Sequence, residues 1–166
     1  TVEEAKASGI EEVIFITGMG KSAIEDHFDT SAELEMLLKT KGKEGILQEI
    51  EELSELHFAY TRQKKPLGLG HAVHCAKLLV GPEPFAVLLG DDIIDSKVPA
   101  LKQMVDVYNK YKGSIIAVQR VPDDQTHLYG VIAGEEVEPG VYKVSDLVEK
   151  PKERAPSNLA IIGRYI

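Results

Sequence analysis

The chain has 166 residues, and its 19 basic and 27 acidic side chains leave a net charge of −8. A chain of this length buries about 70% of the surface that its unfolded form exposes, so one core can hold it without a metal or disulfide staple. The acidic balance argues against nucleic acid or an anionic membrane as partner, since both require a basic face. Cys75 is the only cysteine, which excludes an internal disulfide and fits a reducing compartment.

Taken in chain order, a helical stretch with Ala5, Ala7 and Ile10 on a sparse apolar face precedes a first strand, Val13-Ile14-Phe15-Ile16-Thr17. Gly18-Met19-Gly20-Lys21-Ser22 follows as a strand-to-helix turn. It is not a phosphate loop, because the position that would need the first glycine is Phe15. Residues 33 to 56 form a strongly charged helical stretch that Gly42 and Gly45 should break in two. The acidic run Glu49, Glu51, Glu52 and Glu55 reads as a solvated helix face. Phe58 to Thr61 is a second strand. Leu69 to Leu79 has helical spacing (Ala72, Val73, Ala76, Leu79), Phe85 to Leu89 is a third strand, Pro99 to Tyr111 a helix opened by proline, and Ser114 to Val118 a fourth strand. Continuous apolar strands alternating with helices predict a doubly wound α/β sheet whose strands are buried on both faces. Beyond residue 120 the rhythm changes. Tyr129 to Ile132, Tyr142 to Val144 and Leu159 to Ile166 read as strands without intervening helices, with Pro139-Gly140 as a turn. The chain starts at Thr1 and stops inside its last apolar run, a pattern expected of an internal segment.

Four places carry candidate chemistry. Gly90-Asp91-Asp92 follows a strand, and ligands of open α/β sheets bind outside the carboxyl ends of strands. A carboxylate there can hold Mg2+ together with substrate phosphates, or cap a turn through Asp92 or Asp95. In Gln63-Lys64-Lys65-Pro66-Leu67-Gly68-Leu69-Gly70-His71-Ala72 the glycines let a flat ligand approach the backbone, and a glutamine amide can read a nucleobase edge. The same stretch also fits a plain βα loop. Val148-Glu149-Lys150-Pro151 sets a carboxylate suited to sugar hydroxyls beside a cation suited to phosphate, or forms a surface ion pair. His71, His74 and Cys75 do not make a metal shell, because Cys75 lies off the face that the histidines share and no second cluster completes four ligands.

The order of these pieces carries more than any one of them. The glutamine-glycine loop comes first, then Leu-Leu-Gly-Asp-Asp, Tyr-Gly-Val, Val-Glu-Lys-Pro and Ser-Asn-Leu-Ala-Ile-Ile-Gly-Arg-Tyr. That order resembles the sugar-phosphate nucleotidylyltransferases over essentially the whole chain. Ile24-Glu25-Asp26-His27-Phe28-Asp29-Thr30, Glu33-Leu34-Glu35 and Gly68 to Val73 are similar to stretches of the bacterial members that transfer uridylyl groups. The resemblance implies a Rossmann-like α/β nucleotidyltransferase fold, a mixed sheet flanked by helices with a β-rich sugar-binding part, incomplete at both ends. Residues 1–166 would form one partial domain, with 1–120 the nucleotide-binding part and 121–166 the sugar-binding part.

The implied reaction is uridylyl transfer from UTP to glucose 1-phosphate, giving UDP-glucose and pyrophosphate with Mg2+ as cofactor. Carried over by motif, Gln63 and the Gly68 backbone would hold uracil. Asp91 would ligate Mg2+. Gly130 and Glu149 would contact the sugar, Lys150 its phosphate, and Asn158 would line the sugar pocket. Asp91 and Lys150 are then the catalytic pair. A cytoplasmic homo-oligomer is expected, with neither nucleic acid nor membrane as partner. Members of the family open with a glycine-rich loop around the triphosphate, which these residues lack, so the chain alone is expected to be inactive. Gly90 before Asp91 also occurs in thymidylyl and guanylyl relatives, which keeps another base, or a non-catalytic nucleotide-sugar-binding module, as alternatives.

Overall fold

A computed structural model of the chain describes residues 1–29 and 31–166, so Thr30 of the 24–30 stretch lies outside the described residues. The chain divides into two compact units, Val2–Phe85 and Ala86–Ile166, the second grouped with Thr1.

The first unit opens with α1 (Val2–Ala7) and β1 (Glu12–Thr17). Three helices follow: α2 (Ser22–Phe28), α3 (Ala32–Thr40) and α4 (Glu44–Ser54). The Ser31 hydroxyl caps α3 by accepting from the Leu34 N–H. Gly42, at φ 64°, closes the turn after α3. Gly45 does not break the stretch as expected; it sits in the first turn of α4, where its backbone is helical. α4 buries Leu47 and leaves Glu49, Glu51, Glu52 and Glu55 exposed, as a solvated face should. β2 (His57–Arg62) pairs parallel with β1, residue for residue from Glu12↔His57 to Thr17↔Arg62. Phe15 stacks on Phe28, Phe58 and Tyr60 at centroid distances of 4.9 to 5.6 Å, and this aromatic cluster joins α2 to the sheet. These two strands are half-buried rather than buried on both faces. Among the described residues the parallel sheet has only these two strands. The helical pattern at 69–79 is interrupted. α5 (Leu69–Cys75) and α6 (Lys77–Val80) meet at Ala76, where the Ala76 N–H bonds to Val73 O and the Leu79 N–H to Ala76 O in tighter three-residue turns.

The second unit is built on an antiparallel sheet. β3 is only Val87–Leu88. Pro82 and Pro84 have no N–H to give a ladder, and pairing with β7 starts at Val87 rather than at Phe85 as the apolar run suggests. α7 (Ala100–Tyr111) follows Pro99, and Lys112 ends it in a left-handed conformation at φ 55°. β4 (Ile116–Arg120) starts two residues later than the periodicity indicates, although Ile115 already exchanges both backbone bonds with Ile166. A short 3-10 helix, Asp123–Leu128, leads to β5 (Gly130–Glu138). Pro139-Gly140 turns the chain into β6 (Val141–Glu149), and β7 (Leu159–Tyr165) ends the unit.

The two central strands of the alternating pattern, β3 and β4, do not pair with each other. Both lie antiparallel to β7, which comes from the far end of the sequence. A strand has two edges. β4 runs along one of them from Leu159 to Tyr165, so the other is shared. β3 occupies it at Arg164 and Tyr165, and β5 meets it at Ala160. The core of this unit is closed: Leu101, Val131, Ala160 and Arg164 are 0% exposed and Ile132 is 1% exposed.

Candidate functional site

In the first unit, Gln63 directly follows β2, and its backbone N–H donates to Thr17 O at 2.9 Å, extending the β1–β2 ladder by one bond. Its side-chain amide donates to Gly68 O at 3.1 Å and meets His71 Nδ1 at 2.9 Å. An NH2 group can only donate, so His71 Nδ1 accepts from it; Cys75 Sγ, one helical turn on, also lies 3.9 Å from Nδ1, so Cys75 shares the face of His71 rather than lying off it as expected. Gly68 sits at φ 95° just before α5, a backbone conformation that side chains rarely adopt, with open space where a Cβ would stand. The loop is thus tied shut by its own residues, and the Gln63 carbonyl oxygen is left to accept from a ligand. The sequence reading did not give His71 this part; its i+8 position on the first turn of α5 is the signal that could have found it.

In the second unit, β3 runs out into Gly90-Asp91-Asp92, and the neighbouring strand β7 straps both ends of that loop. Leu89 N–H donates to Gly163 O at 2.9 Å. Gly163 N–H donates to the Asp92 carboxylate at 2.6 Å. The Arg164 guanidinium, fully buried, donates to Leu89 O at 3.2 Å, Gly163 O at 2.8 Å and Asp92 O at 2.8 Å. Asp91, at the tip, is exposed, and among the described residues no side chain or backbone group bonds to its carboxylate. A lone free carboxylate at a strand end fits Mg2+, which keeps most of its waters and completes its shell with substrate phosphates. Among the described residues no cluster of three or more ligating side chains forms a cage. Asp92, considered from sequence as a turn cap, instead accepts from a strand 71 residues away.

Of the other predicted residues, Gly130, with Glu149 opposite it, stands beside Ile161, two positions earlier along β7. Gly130 opposes Glu149 in the β5–β6 ladder. A Cβ on Gly130 would stand 2.9 Å from Glu149 Oε2 and 3.3 Å from Ile161 Cδ1, so glycine is what leaves the carboxylate room. A Cβ on Gly163 would meet Asp92 Oδ2 at 2.5 Å and Leu89 Cβ at 2.7 Å. Ile161 beside Gly130 and Gly163 beside Asp92 are one i, i+2 step apart, about 7 Å along the strand. Burial raises the affinity of the Tyr165 phenol for its proton, and the charges of Asp92 and Glu149 raise it further, so one phenol feels both carboxylates. Lys150 turns the chain at φ 45°, an uncommon conformation for a residue with a side chain, and its N–H bonds to Tyr129 O at 3.0 Å. Its ammonium stands 3.9 Å from Glu149, and both side chains are mostly exposed, so as an ion pair they contribute little. Asn158, at the entry to β7, is half-buried. Its carbonyl oxygen accepts from Arg120 at 3.2 Å while Arg120 also donates to the Tyr142 hydroxyl at 2.7 Å. That leaves the Asn158 NH2 as the group able to face a ligand.

Comparisons with known proteins agree in kind. The family model described as nucleotidyl transferase matches residues 1–166. A UTP–glucose-1-phosphate uridylyltransferase of Staphylococcus epidermidis is 54% identical over 99% of this chain and 58% of its own length. One from Bacillus subtilis is 53% identical over 99% of this chain and 57% of its own length. The chain therefore spans somewhat over half the length of these curated relatives. Among solved structures, an apo UDP-glucose pyrophosphorylase superposes with a TM-score of 0.93 at 47% identity, covering 99% of this chain and 62% of the other. A UTP-bound enzyme from Acinetobacter baumannii does so with a TM-score of 0.87 at 40% identity, covering 99% and 60%.

Proposed function

Because the chain belongs to the nucleotidyl transferase family, we propose that it provides the base-binding and sugar-phosphate-binding elements of an enzyme that transfers uridylyl from UTP to glucose 1-phosphate. The observation that supports this best is the arrangement along β7, where the loop that carries Asp91, tied to Gly163 through the Asp92 carboxylate, and the Gly130–Glu149 pair beside Ile161 meet one strand at positions two residues apart. The names of the relatives give the substrates: one solved neighbour is UTP-bound and another is complexed with UDP-glucose.

On this reading the Gln63 carbonyl oxygen accepts the imide N–H of uracil, and the open backbone at Gly68 lies along the base. Glu149 accepts from glucose hydroxyls in the space that Gly130 leaves. The Asn158 NH2 donates to the sugar. Lys150 binds the sugar phosphate as a point charge. An oxygen of that phosphate attacks the α-phosphorus of UTP in line. The bond from the α-phosphorus to the β-bridging oxygen breaks, and pyrophosphate leaves with its electron pair. The protein contributes position and charge compensation rather than a nucleophile. Asp91 would hold Mg2+, which when bound neutralises charge on the phosphates. Residues 1–120 would then be the nucleotide part and 121–166 the sugar part of one domain, in a cytoplasmic homo-oligomer.

The test is a coupled assay on the protein expressed from its complete reading frame, following pyrophosphate release and UDP-glucose formation. UTP with glucose 1-phosphate should turn over, and dTTP should do so at least tenfold less efficiently. Equal efficiency with dTTP would remove the base assignment. No product from either nucleotide would remove the reaction.

A further inference from the structure

The loop that carries Asp91 makes one backbone bond of its own, Asp92 N–H to Leu89 O at 3.4 Å, and its other bonds come from β7. We propose that Gly163 and Arg164 of β7 are positioning residues that set the Asp91 carboxylate for metal, a role that rests on the reading above and extends it to residues that do not touch substrate.

Four bonds from two consecutive β7 residues fix both ends of the loop. Gly163 accepts from Leu89 N–H and donates to the Asp92 carboxylate, while Arg164 donates to the carbonyls of Leu89 and Asp92. Only Gly90 and Asp91 lie between those anchors. The guanidinium is wholly buried and serves backbone carbonyls of β7 and of the loop after β3, a fixed fork that the single ammonium of lysine cannot reproduce. Glycine at 163 is required by space, because the carboxylate and Leu89 already occupy the place of a Cβ. The strand that does this also carries Ile161 against Gly130, so the spacing between the metal loop and the sugar pair is the spacing of β7 itself. Groups that hold a metal ligand in place typically change metal affinity by about 10–100-fold when removed.

The experiment compares wild type with Arg164→Lys in the complete protein. Binding of Mn2+ alone in the presence of UTP is followed by electron paramagnetic resonance, and binding of metal-free UTP by calorimetry. Circular dichroism confirms that each protein is folded. The expected result is at least tenfold weaker Mn2+ binding with metal-free UTP affinity unchanged within about twofold, and the same split for Asp92→Ala, which keeps the buried guanidinium and is decisive if Arg164→Lys fails to fold. Equal weakening of both ligands means general loosening and overturns the proposal, as does a folded variant that binds Mn2+ like wild type. Wild type that binds UTP but shows no UTP-dependent Mn2+ site overturns the metal assignment of Asp91 itself, and wild type that binds neither overturns the functional reading.

Discussion

The loop after β2 and the loop after β3 do comparable work by opposite means. Gln63 is held by partners five and eight residues along, Gly68 and His71, and its geometry comes from a left-handed glycine. The Asp91 loop is held by β7 residues 71 to 75 positions away. The surroundings differ in the same sense. The unit of residues 2–85 leaves its strands half-buried and exposes Leu34, Met36, Leu37 and Ile46 on its helices. Among the described residues, the largest completely enclosed side chains, Arg164, Leu101, Ile132 and Val131, all lie in the unit of residues 86–166. On the proposed function, a base-reading loop can be specified locally because a planar base needs a flat surface and one or two polar edges. A metal carboxylate needs a fixed point, and fixed points come from packed cores.

This contrast can be broken most strongly at Leu101, which is entirely buried on α7. Leu101→Ala should cost about 2–5 kcal/mol of stability. Denaturant unfolding would measure it, and metal affinity should weaken before uracil affinity does. Asp91→Asn comes next, with turnover falling about 100-fold or more as charge compensation on the phosphates is lost. Binding of uridine monophosphate in the absence of metal, followed by calorimetry, should stay as in wild type. Gln63→Ala should sharpen the comparison from the other side: UTP affinity should fall about tenfold, worth about 1.4 kcal/mol, and the preference over CTP, whose cytosine N3 has no proton to donate, should narrow, while Mn2+ binding is untouched.

The smallest expected effect is a pH dependence at the surface of the second unit. The hydrogen bond from Lys110, and then that from Tyr111, holds the Glu138 carboxyl below the usual carboxylate range. Its ionised form is therefore favoured by folding. The resulting stabilisation is present above the ordinary glutamate range and is lost as pH falls through the lowered value. The melting temperature of Glu138→Gln should lie slightly below that of wild type at pH 6, and the gap should close toward pH 3.

The sequence made much of this visible, element by element. The strand at 12–17, the helix after Pro99, the break at Gly42 and the Pro139-Gly140 turn were all legible, because each depends on periodicity or on a residue with restricted backbone angles. The short β3, the shifted β4 and the split at Ala76 were not. Their limits are set by which strand or turn accepts the hydrogen bonds, and a single strand's apolar pattern does not name its partner. The candidate site divides the same way. Gln63, Gly68, Asp91, Gly130, Glu149, Lys150 and Asn158 stood out by motif. Arg164 stood out only as a letter within a motif and Asp92 only as a turn cap, because what they do lies in contacts more than 70 residues long.

By itself, then, the sequence determined the family, the order of the motifs and the chemistry each side chain could offer, since those follow from residue type and spacing. Only the tertiary structure decided that β7 lies between β3 and β4, that its Gly163 and Arg164 grip the Asp91 loop, and that Gly130 leaves room for Glu149 one step along the same strand. The reason is physical. Strand pairing satisfies backbone hydrogen bonds without regard to distance along the chain, and a buried guanidinium is stable only where folding has gathered carbonyls to receive it.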